Sequence, residues 1–153
     1  HHDVMHRYSH HADRFNITTR KNAYVYGSEP AVTEVITILI DNALKYSPEK
    51  SPIAVRIFER LGFVGYELKN EGTKIPDQSL TKLFDRFYRA DSSRTESSKN
   101  GYGLGLAIAK KIVDIHHGEI TVTSDDQATT FTVFLPKRTQ RLPQKLQQKS
   151  PNA

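Results

Sequence analysis

The feature that most constrains this chain is one long amphipathic helix, predicted between Ser28 and Ser47. Its apolar residues recur three and four positions apart, so one wide face of the helix should be buried. These residues are Val32, Val35, Ile36, Leu39, Ile40, Ala43 and Leu44. On a neighbouring stripe, Asn42, Lys45 and Tyr46 stand three and four apart and therefore share one surface. An amide, a cation and a phenol together on a core helix indicate either a binding surface or a solvated edge.

The distribution of charge argues against a nucleic-acid partner. The 153 residues carry a formal net charge of +5, and the last eighteen hold five basic residues and no acidic one. The remainder is therefore neutral, which does not predict a basic face on the folded domain. Cysteine is absent, which excludes disulfides and thiolate metal sites. We expect a possible tag remnant at residues 1–2, one soluble domain at 3–136, and a basic, disordered tail at 137–153.

The order of the predicted elements indicates an α+β fold. A short helix is expected at residues 3–14, followed by short strands at 15–21 and 23–26. Hairpins are predicted around Leu61-Gly62 and around Asp125-Asp126, and further helices near residues 80–87 and 105–113. This order predicts a two-layer sandwich: a mixed, mainly antiparallel sheet with about three helices on one face. His6 and His10 are one helical turn apart but lack a third ligand, so no metal site is predicted there.

Three glycines, Gly101, Gly103 and Gly105, lie where a polar loop meets a predicted helix. Their spacing is not that of a dinucleotide-binding fingerprint, and the Gly-Lys-Ser/Thr of a P-loop is absent. Glycines at such a junction let backbone N–H groups approach an anion at the positive end of the helix. Tight packing of the helix is the structural alternative.

Four segments taken in order are far more specific than any one of them. They read Asn-Ala-Leu-Lys-Tyr-Ser from Asn42, Asn-x-Gly-x-x-Ile-Pro from Asn70, Leu-Phe-x-Arg-Phe-Tyr-Arg from Leu83, and Gly-Tyr-Gly-Leu-Gly from Gly101. This set resembles the N, G1, F and G2 boxes of the ATP-binding catalytic domain of bacterial sensor histidine kinases, which has the Bergerat-type ATP-binding fold. The resemblance covers residues 3–136.

The resemblance implies a role for each matching residue. Asn42 would bind Mg²⁺, Lys45 and Arg89 would contact the phosphates of ATP, and Tyr46 and Ile75 would line the site. Asn70 would accept a hydrogen bond from the adenine amino group, beside Gly72. Phe84 and Phe87 would anchor a lid at residues 88–100, whose hinge over the phosphates would comprise Gly101, Tyr102, Gly103, Leu104 and Gly105.

The resemblance also implies the reaction and the partners. Such a domain transfers the γ-phosphoryl group of Mg-ATP to a histidine on a separate dimerisation domain, which then serves a response regulator in a two-component phosphorelay. The string Ser9-His10-His11 lacks the Glu-Leu-Arg that follows the histidine in that domain, so we expect the acceptor to lie outside this chain. The chain alone would be a monomer. The complete kinase would be a homodimer, anchored in the membrane with this domain in the cytoplasm.

The chain departs from the family pattern at three positions, and two alternatives stay open. Ile38 stands one turn before Asn42, where the family often has a second asparagine and the gyrase-type ATPases have a catalytic glutamate. An apolar side chain cannot act as a general base, so efficient ATP hydrolysis is disfavoured. Asn70 replaces an aspartate, and Lys74 replaces a second glycine. The alternatives are a stand-alone serine kinase of the anti-sigma-factor type and a degenerate, non-catalytic nucleotide-binding regulatory module.

Overall fold

A computed structural model describes residues 2–19, 23–89 and 103–138 of the chain. Its elements in chain order are α1 (His2–Arg7), a 3-10 helix (Ser9–Arg14), β1 (Phe15–Thr19), α2 (Glu29–Tyr46), β2 (Ile53–Arg60), β3 (Phe63–Glu71), α3 (Asp77–Leu80), α4 (Gly105–Ile115), β4 (Glu119–Ser124) and β5 (Ala128–Pro136). The strands form one sheet in the order β1-β2-β3-β5-β4. β1 and β2 are parallel, and the other neighbouring pairs are antiparallel. The predicted fold class, a mixed and mainly antiparallel sheet with helices, is therefore confirmed.

The core lies between one face of the sheet and the long helices α2 and α4. Alternate residues of the central strands point into it, so that Leu68 of β3 and Val55 of β2 are almost fully buried. Leu39 and Ile40 of α2 are fully buried in this core, and so is Val113 of α4. Full burial of one such side chain contributes roughly 1.5–3 kcal/mol. The helix predicted from its apolar spacing is thus the element around which the core forms.

The β2–β3 hairpin turns through two residues in the left-handed region of backbone space. Leu61 has a φ of 49° and Gly62 a φ of 83°, and Arg60 pairs with Phe63 across the turn. Both central residues of a type I′ turn need positive φ, and that turn matches the twist of the flanking strands. The predicted hairpin at Leu61-Gly62 is confirmed.

Three predicted elements differ from the structure. The expected strand at residues 23–26 is only an isolated bridge between Val25 and Lys137, a residue that lies just beyond the end of β5 at Pro136. The expected helix at 3–14 divides at Tyr8 into α1 and the 3-10 helix. The helix expected near 80–87 is the single turn α3 followed by irregular turns, and Phe87, with a φ of 64°, cannot continue it.

The backbone remains paired for two residues beyond the predicted boundary at Pro136. Lys137 N–H donates to the Gly62 carbonyl at 2.8 Å, and Arg138 N–H donates to the Tyr24 carbonyl at 2.8 Å. The Lys137 ammonium also contacts Glu59 at 2.6 Å. The rest of the predicted tail lies outside the described residues. None of the helices in the described part of the chain has the length and apolar character needed to cross a membrane.

Candidate nucleotide site

A cleft of about 490 Å³ opens between the C-terminal half of α2, the chain that follows β3, and the start of α4. It brings together predicted site residues from all four sequence segments: Asn42, Lys45, Tyr46, Asn70, Gly72, Ile75, Arg89, Gly103, Leu104 and Gly105. The stripe on α2 is therefore the wall of a cavity, not a solvated edge. Gly101 and Tyr102 lie outside the described residues.

The α2 wall combines a cation, an aromatic ring and an amide. Lys45 Nζ lies 5.2 Å from the centre of the Tyr46 ring, within the distance at which a cation is attracted to a ring face. Tyr46 is 45 % exposed, and Asn42 is half-buried one turn before it. Ile38, a further turn back, lines the same cleft. Along this wall the amide oxygen of Asn42 therefore follows the aliphatic side chain of Ile38, one helical turn apart.

The opposite wall is formed where β3 and β5 pair. Asn70, only 4 % exposed, is paired in the sheet with Thr129, which is 5 % exposed, and both line the cleft. Asn70 Nδ2 donates to the Glu71 carbonyl at 3.0 Å. With the amide nitrogen engaged, the Oδ1 atom remains as the acceptor that Asn70 can offer to a ligand. A second buried polar group, the Thr129 hydroxyl, lies beside it.

The loop that follows β3 is tied to the β4–β5 hairpin. Ile75 N–H donates to Ser124 Oγ at 3.0 Å, and Ser124 Oγ shares a hydrogen bond of 2.9 Å with Thr129 Oγ1. Lys74 Nζ lies 3.9 Å from Asp126, at the outer edge of the loop. Lys74, which replaces a glycine of the family pattern, thus forms an exposed ion pair while lining the cleft. Such a pair contributes at most about 1 kcal/mol.

The start of α4 meets the end of the turns that follow α3. Phe87 N–H donates to the Gly103 carbonyl at 3.0 Å, so two described residues on either side of the predicted lid lie together. Gly103 has a φ of 68°, and α4 begins two residues later at Gly105. Tyr88 and Arg89, the first residues of the predicted lid, line the cleft, whereas the rest of the lid lies outside the described residues.

The structure places the two phenylalanines of the predicted site away from the cleft. Phe84 is partly buried against the hydrophobic core. Phe87 is 70 % exposed, and neither ring lines the cavity. Both therefore lie at the base of the predicted lid and not against a ligand in the cleft.

Several lining residues carry no sequence signal of their own. Thr129 and Phe131 reach the cleft because β5 pairs with β3. Asp41 also lines the cleft, and its Oδ1 accepts a 2.6 Å hydrogen bond from the Tyr8 hydroxyl. Burial of Tyr8 and its bond to this carboxylate raise the pKa of the phenol, so it remains a donor at physiological pH.

The arrangement suits an anionic ligand with an aromatic part. Three cationic side chains line the cleft, Lys45, Lys74 and Arg89, and α4 directs its positive N-terminal end toward it. Ile75, Leu83 and Phe131 supply apolar surface, and Asn70 and Thr129 supply buried polar atoms. Such a combination of apolar walls with a few fixed polar groups is typical of small-molecule sites.

Comparison with known proteins identifies the family of the chain. Residues 27–139 match the family described as "Histidine kinase-, DNA gyrase B-, and HSP90-like ATPase". The probable sensor kinase SilS of Salmonella typhimurium is 41 % identical over 119 residues, which are 78 % of this chain and 24 % of that protein. The sensor histidine kinase WalK of Bacillus subtilis is 38 % identical over 138 residues, 81 % of this chain and 22 % of that protein. The chain thus spans about a quarter of the length of these relatives.

Solved structures give the same result. The mycobacterial sensor histidine kinase MprB superposes with a TM-score of 0.77 at 28 % identity, covering 90 % of this chain and 91 % of that one. The catalytic domain of histidine kinase ThkA, at 22 % identity and a TM-score of 0.75, shares the fold over 89 % of each chain. The predicted resemblance to the catalytic domain of sensor histidine kinases is confirmed, and the chain belongs to the family of histidine kinase-, DNA gyrase B- and HSP90-like ATPases.

Proposed function

We propose that this chain binds Mg-ATP in the cleft and transfers the γ-phosphoryl group to a histidine of a separate dimerisation domain. The observation that carries the proposal is the convergence of Asn42 and Lys45 from α2, Asn70 from β3 and the N-terminal end of α4 on one cavity. The cations and the helix N-terminus would bind the phosphates, and the amide of Asn42 would bind their metal ion. The buried acceptor on Asn70 would bind the base.

The adenine end of the site would lie between β3 and the loop that follows it. Asn70 Oδ1 would accept from the exocyclic amino group, and the Thr129 hydroxyl beside it offers a second polar contact. Asparagine makes this bond without the charge of the family's aspartate, so the bond is weaker but still formed. Ile75 and Phe131 would contact the faces of the base.

The phosphate end would lie along Lys45, Arg89 and the start of α4. Backbone N–H groups at a helix N-terminus and two cations together neutralise the charge on a polyphosphate. These groups stabilise the charge that spreads over the transferred phosphoryl group, which supplies most of the catalysis in phosphoryl transfer.

The residues present fit a magnesium ion. Asn42 lines the cleft with an amide oxygen, a hard ligand of the kind that Mg²⁺ accepts alongside phosphate oxygens and water. When bound, the ion neutralises negative charge on the phosphate oxygens. Asn42 would hold it, and the cations of the cleft would hold the remaining phosphate charge.

Ile38 favours transfer over hydrolysis. It lines the cleft one turn before Asn42, and its side chain cannot activate a water molecule. A neutral imidazole nitrogen needs no such base: it forms the bond to phosphorus while the bond to the bridging oxygen breaks and ADP leaves. The proposal includes four further parts: an acceptor histidine outside this chain, a response regulator as the next recipient of the phosphoryl group, a homodimeric complete kinase, and a membrane anchor. Relatives named as sensor kinases support them.

Binding is tested by titrating the chain with a fluorescent ATP analogue in the presence of Mg²⁺. We expect saturable binding that unlabelled ATP competes away. Asn70→Ala should weaken it, whereas Asn16→Ala, on the exposed face of β1, should not. Absence of binding at millimolar nucleotide would refute the proposal.

Transfer is tested by adding a histidine-bearing dimerisation domain from a related kinase and following radiolabel from γ-³²P-ATP. Acid-labile label on that domain is expected. Acid-stable label on an added protein would instead support a serine kinase of the anti-sigma-factor type. Binding without transfer to any dimerisation domain would support a non-catalytic regulatory module, the alternative that the substitutions at Ile38 and Lys74 keep open.

A further inference from the structure

We propose that Asp41 sets the Mg²⁺ dependence of nucleotide binding, and that Tyr8, from the segment before β1, is its positioning residue. This inference rests on the proposed function, since it concerns how the same cleft responds to the metal. It assigns a role to two residues that the four sequence segments do not include.

The first support is the charge of the cleft. Among the described lining residues, Asp41 is the only one with a carboxylate, beside three with cationic side chains. A carboxylate near bound phosphates repels them and so weakens binding unless a cation lies between the two anions. Protein sites for Mg²⁺ typically combine one or two carboxylates with the phosphates of the substrate. Asp41 is placed to supply the carboxylate of such a site.

The second support is its position relative to Asn42 and Ile38. Asp41 directly precedes Asn42 on α2, and Ile38 occupies the turn before it without a polar atom. Between residues 38 and 42, only Asp41 and Asn42 therefore have side chains with an oxygen atom that could bind a metal ion. A site with a neutral amide alone would hold a divalent cation weakly, and an adjacent negative charge compensates for the aliphatic side chain.

The third support is that the carboxylate is held in place. The Tyr8 hydroxyl donates to Asp41 Oδ1 at 2.6 Å, the short distance of a bond between a hydroxyl and a charged acceptor. Tyr8 itself is 8 % exposed and belongs to the hydrophobic core, so its hydroxyl has a fixed position. The bond occupies Oδ1, which leaves Oδ2 for the metal or for a water molecule in its shell.

A purely structural role of the Tyr8–Asp41 pair and a role toward the metal ion predict different effects on nucleotide binding. If Tyr8 and Asp41 only tie the N-terminal segment to α2, disrupting the pair weakens nucleotide binding equally with and without the metal. If Asp41 acts on the cation, removing its charge changes the nucleotide affinity in opposite directions with and without Mg²⁺. Metal-free binding tightens because the phosphates are no longer repelled, and the requirement for Mg²⁺ rises.

The experiment measures the affinity of the 153-residue chain for a fluorescent ADP derivative in EDTA and across a titration of MgCl₂. Asp41→Asn keeps the shape and the acceptor oxygen for Tyr8, so it removes charge alone. We expect about a tenfold increase in the Mg²⁺ concentration at half-effect, together with tighter binding in EDTA. Asp41→Glu should restore part of the Mg²⁺ response. Tyr8→Phe should shift the response in the same direction as Asp41→Asn, by a smaller factor.

Glu34→Gln is the matched control, because it removes a carboxylate from an exposed position of the same helix that does not line the cleft. It should leave both affinities unchanged. Equal weakening with and without metal in Asp41→Asn, or no change in either, would overturn the role of Asp41. An unchanged Mg²⁺ response in a folded Tyr8→Phe variant would overturn the role of Tyr8. A wild-type chain that binds no nucleotide in either condition would instead refute the proposed function itself.

Discussion

Replacing Gly103 by alanine tests whether the base of the predicted lid is as closely packed as the structure shows. Gly103 has a φ of 68°, a conformation that costs an alanine about 1 kcal/mol relative to glycine. A Cβ atom there would also lie 2.8 Å from the Tyr88 carbonyl oxygen and 2.9 Å from the Phe87 carbonyl carbon. Both are backbone atoms and cannot rotate away, so crowding adds about 1–3 kcal/mol. The total expected loss is about 2–4 kcal/mol.

Gly62→Ala is the matched control for the backbone cost. Gly62 has a φ of 83°, but a Cβ atom there would meet nothing within 4 Å. We expect this variant to lose only about 1 kcal/mol, so the difference between the two variants isolates the crowding at Gly103. Gly105→Ala, whose Cβ would make an ordinary contact of 3.4 Å with Ile38, should stay within about 0.5 kcal/mol of wild type.

The assay is urea denaturation, read as the free energy of unfolding at constant m-value, together with the dissociation constant for Mg-ADP. Crowding that opens only the lid base would appear as weaker nucleotide binding in place of lower global stability. Equal losses in Gly103→Ala and Gly62→Ala, with equal nucleotide affinity, would refute the close packing of Phe87 and Tyr88 against Gly103.

Three further predictions concern the core, the metal and acid stability. Leu39→Ala should lower the free energy of unfolding by about 2–5 kcal/mol, because a fully buried side chain leaves a cavity; a urea titration measures it, and a loss below 1 kcal/mol would contradict the burial. Asn42→Ala should abolish most of the Mg²⁺ stimulation of nucleotide binding while the melting temperature stays near wild type, and retained stimulation would exclude Asn42 as a ligand. The N–H groups of Gln127 and Ala128 hold the pKa of Asp125 below its usual range, so its contribution to stability is present above the unfolded pKa and lost as pH falls through the folded one. The stability difference between wild type and Asp125→Ala should therefore shrink as pH falls below about 4, and a constant difference would contradict this.

The elements that could be predicted from sequence are those whose signal is local and repeated. The apolar spacing of α2 and the proline after it predicted a helix from Ser28 to Ser47, and the structure has it from Glu29 to Tyr46. The alternation of apolar and polar residues, which is also a local and repeated signal, predicted the strands of both hairpins. A short strand is also predicted at residues 23–26, but a strand needs a partner along its length, and only Val25 forms a bridge.

The site divides in the same way. The stripe on α2 is readable because helical spacing places its residues on one surface. Thr129 could not be predicted, since its place beside Asn70 depends on the register between β3 and β5. The bond between Tyr8 and Asp41 joins residues 33 positions apart and depends on how α1 and the 3-10 helix pack on α2. Long-range packing of this kind has no local signature.

Nucleotide binding in the cleft is tested most directly by an NMR titration of the backbone amides with Mg-ADP. Binding in the cleft predicts the largest chemical-shift changes at residues 41–46, 70–76 and 103–106, with saturation and with metal dependence. Amides at the far end of the sheet, around Leu61 in the β2–β3 turn, should not shift. Changes concentrated in that turn, or none at all at millimolar Mg-ADP, would contradict a nucleotide site between α2, β3 and α4.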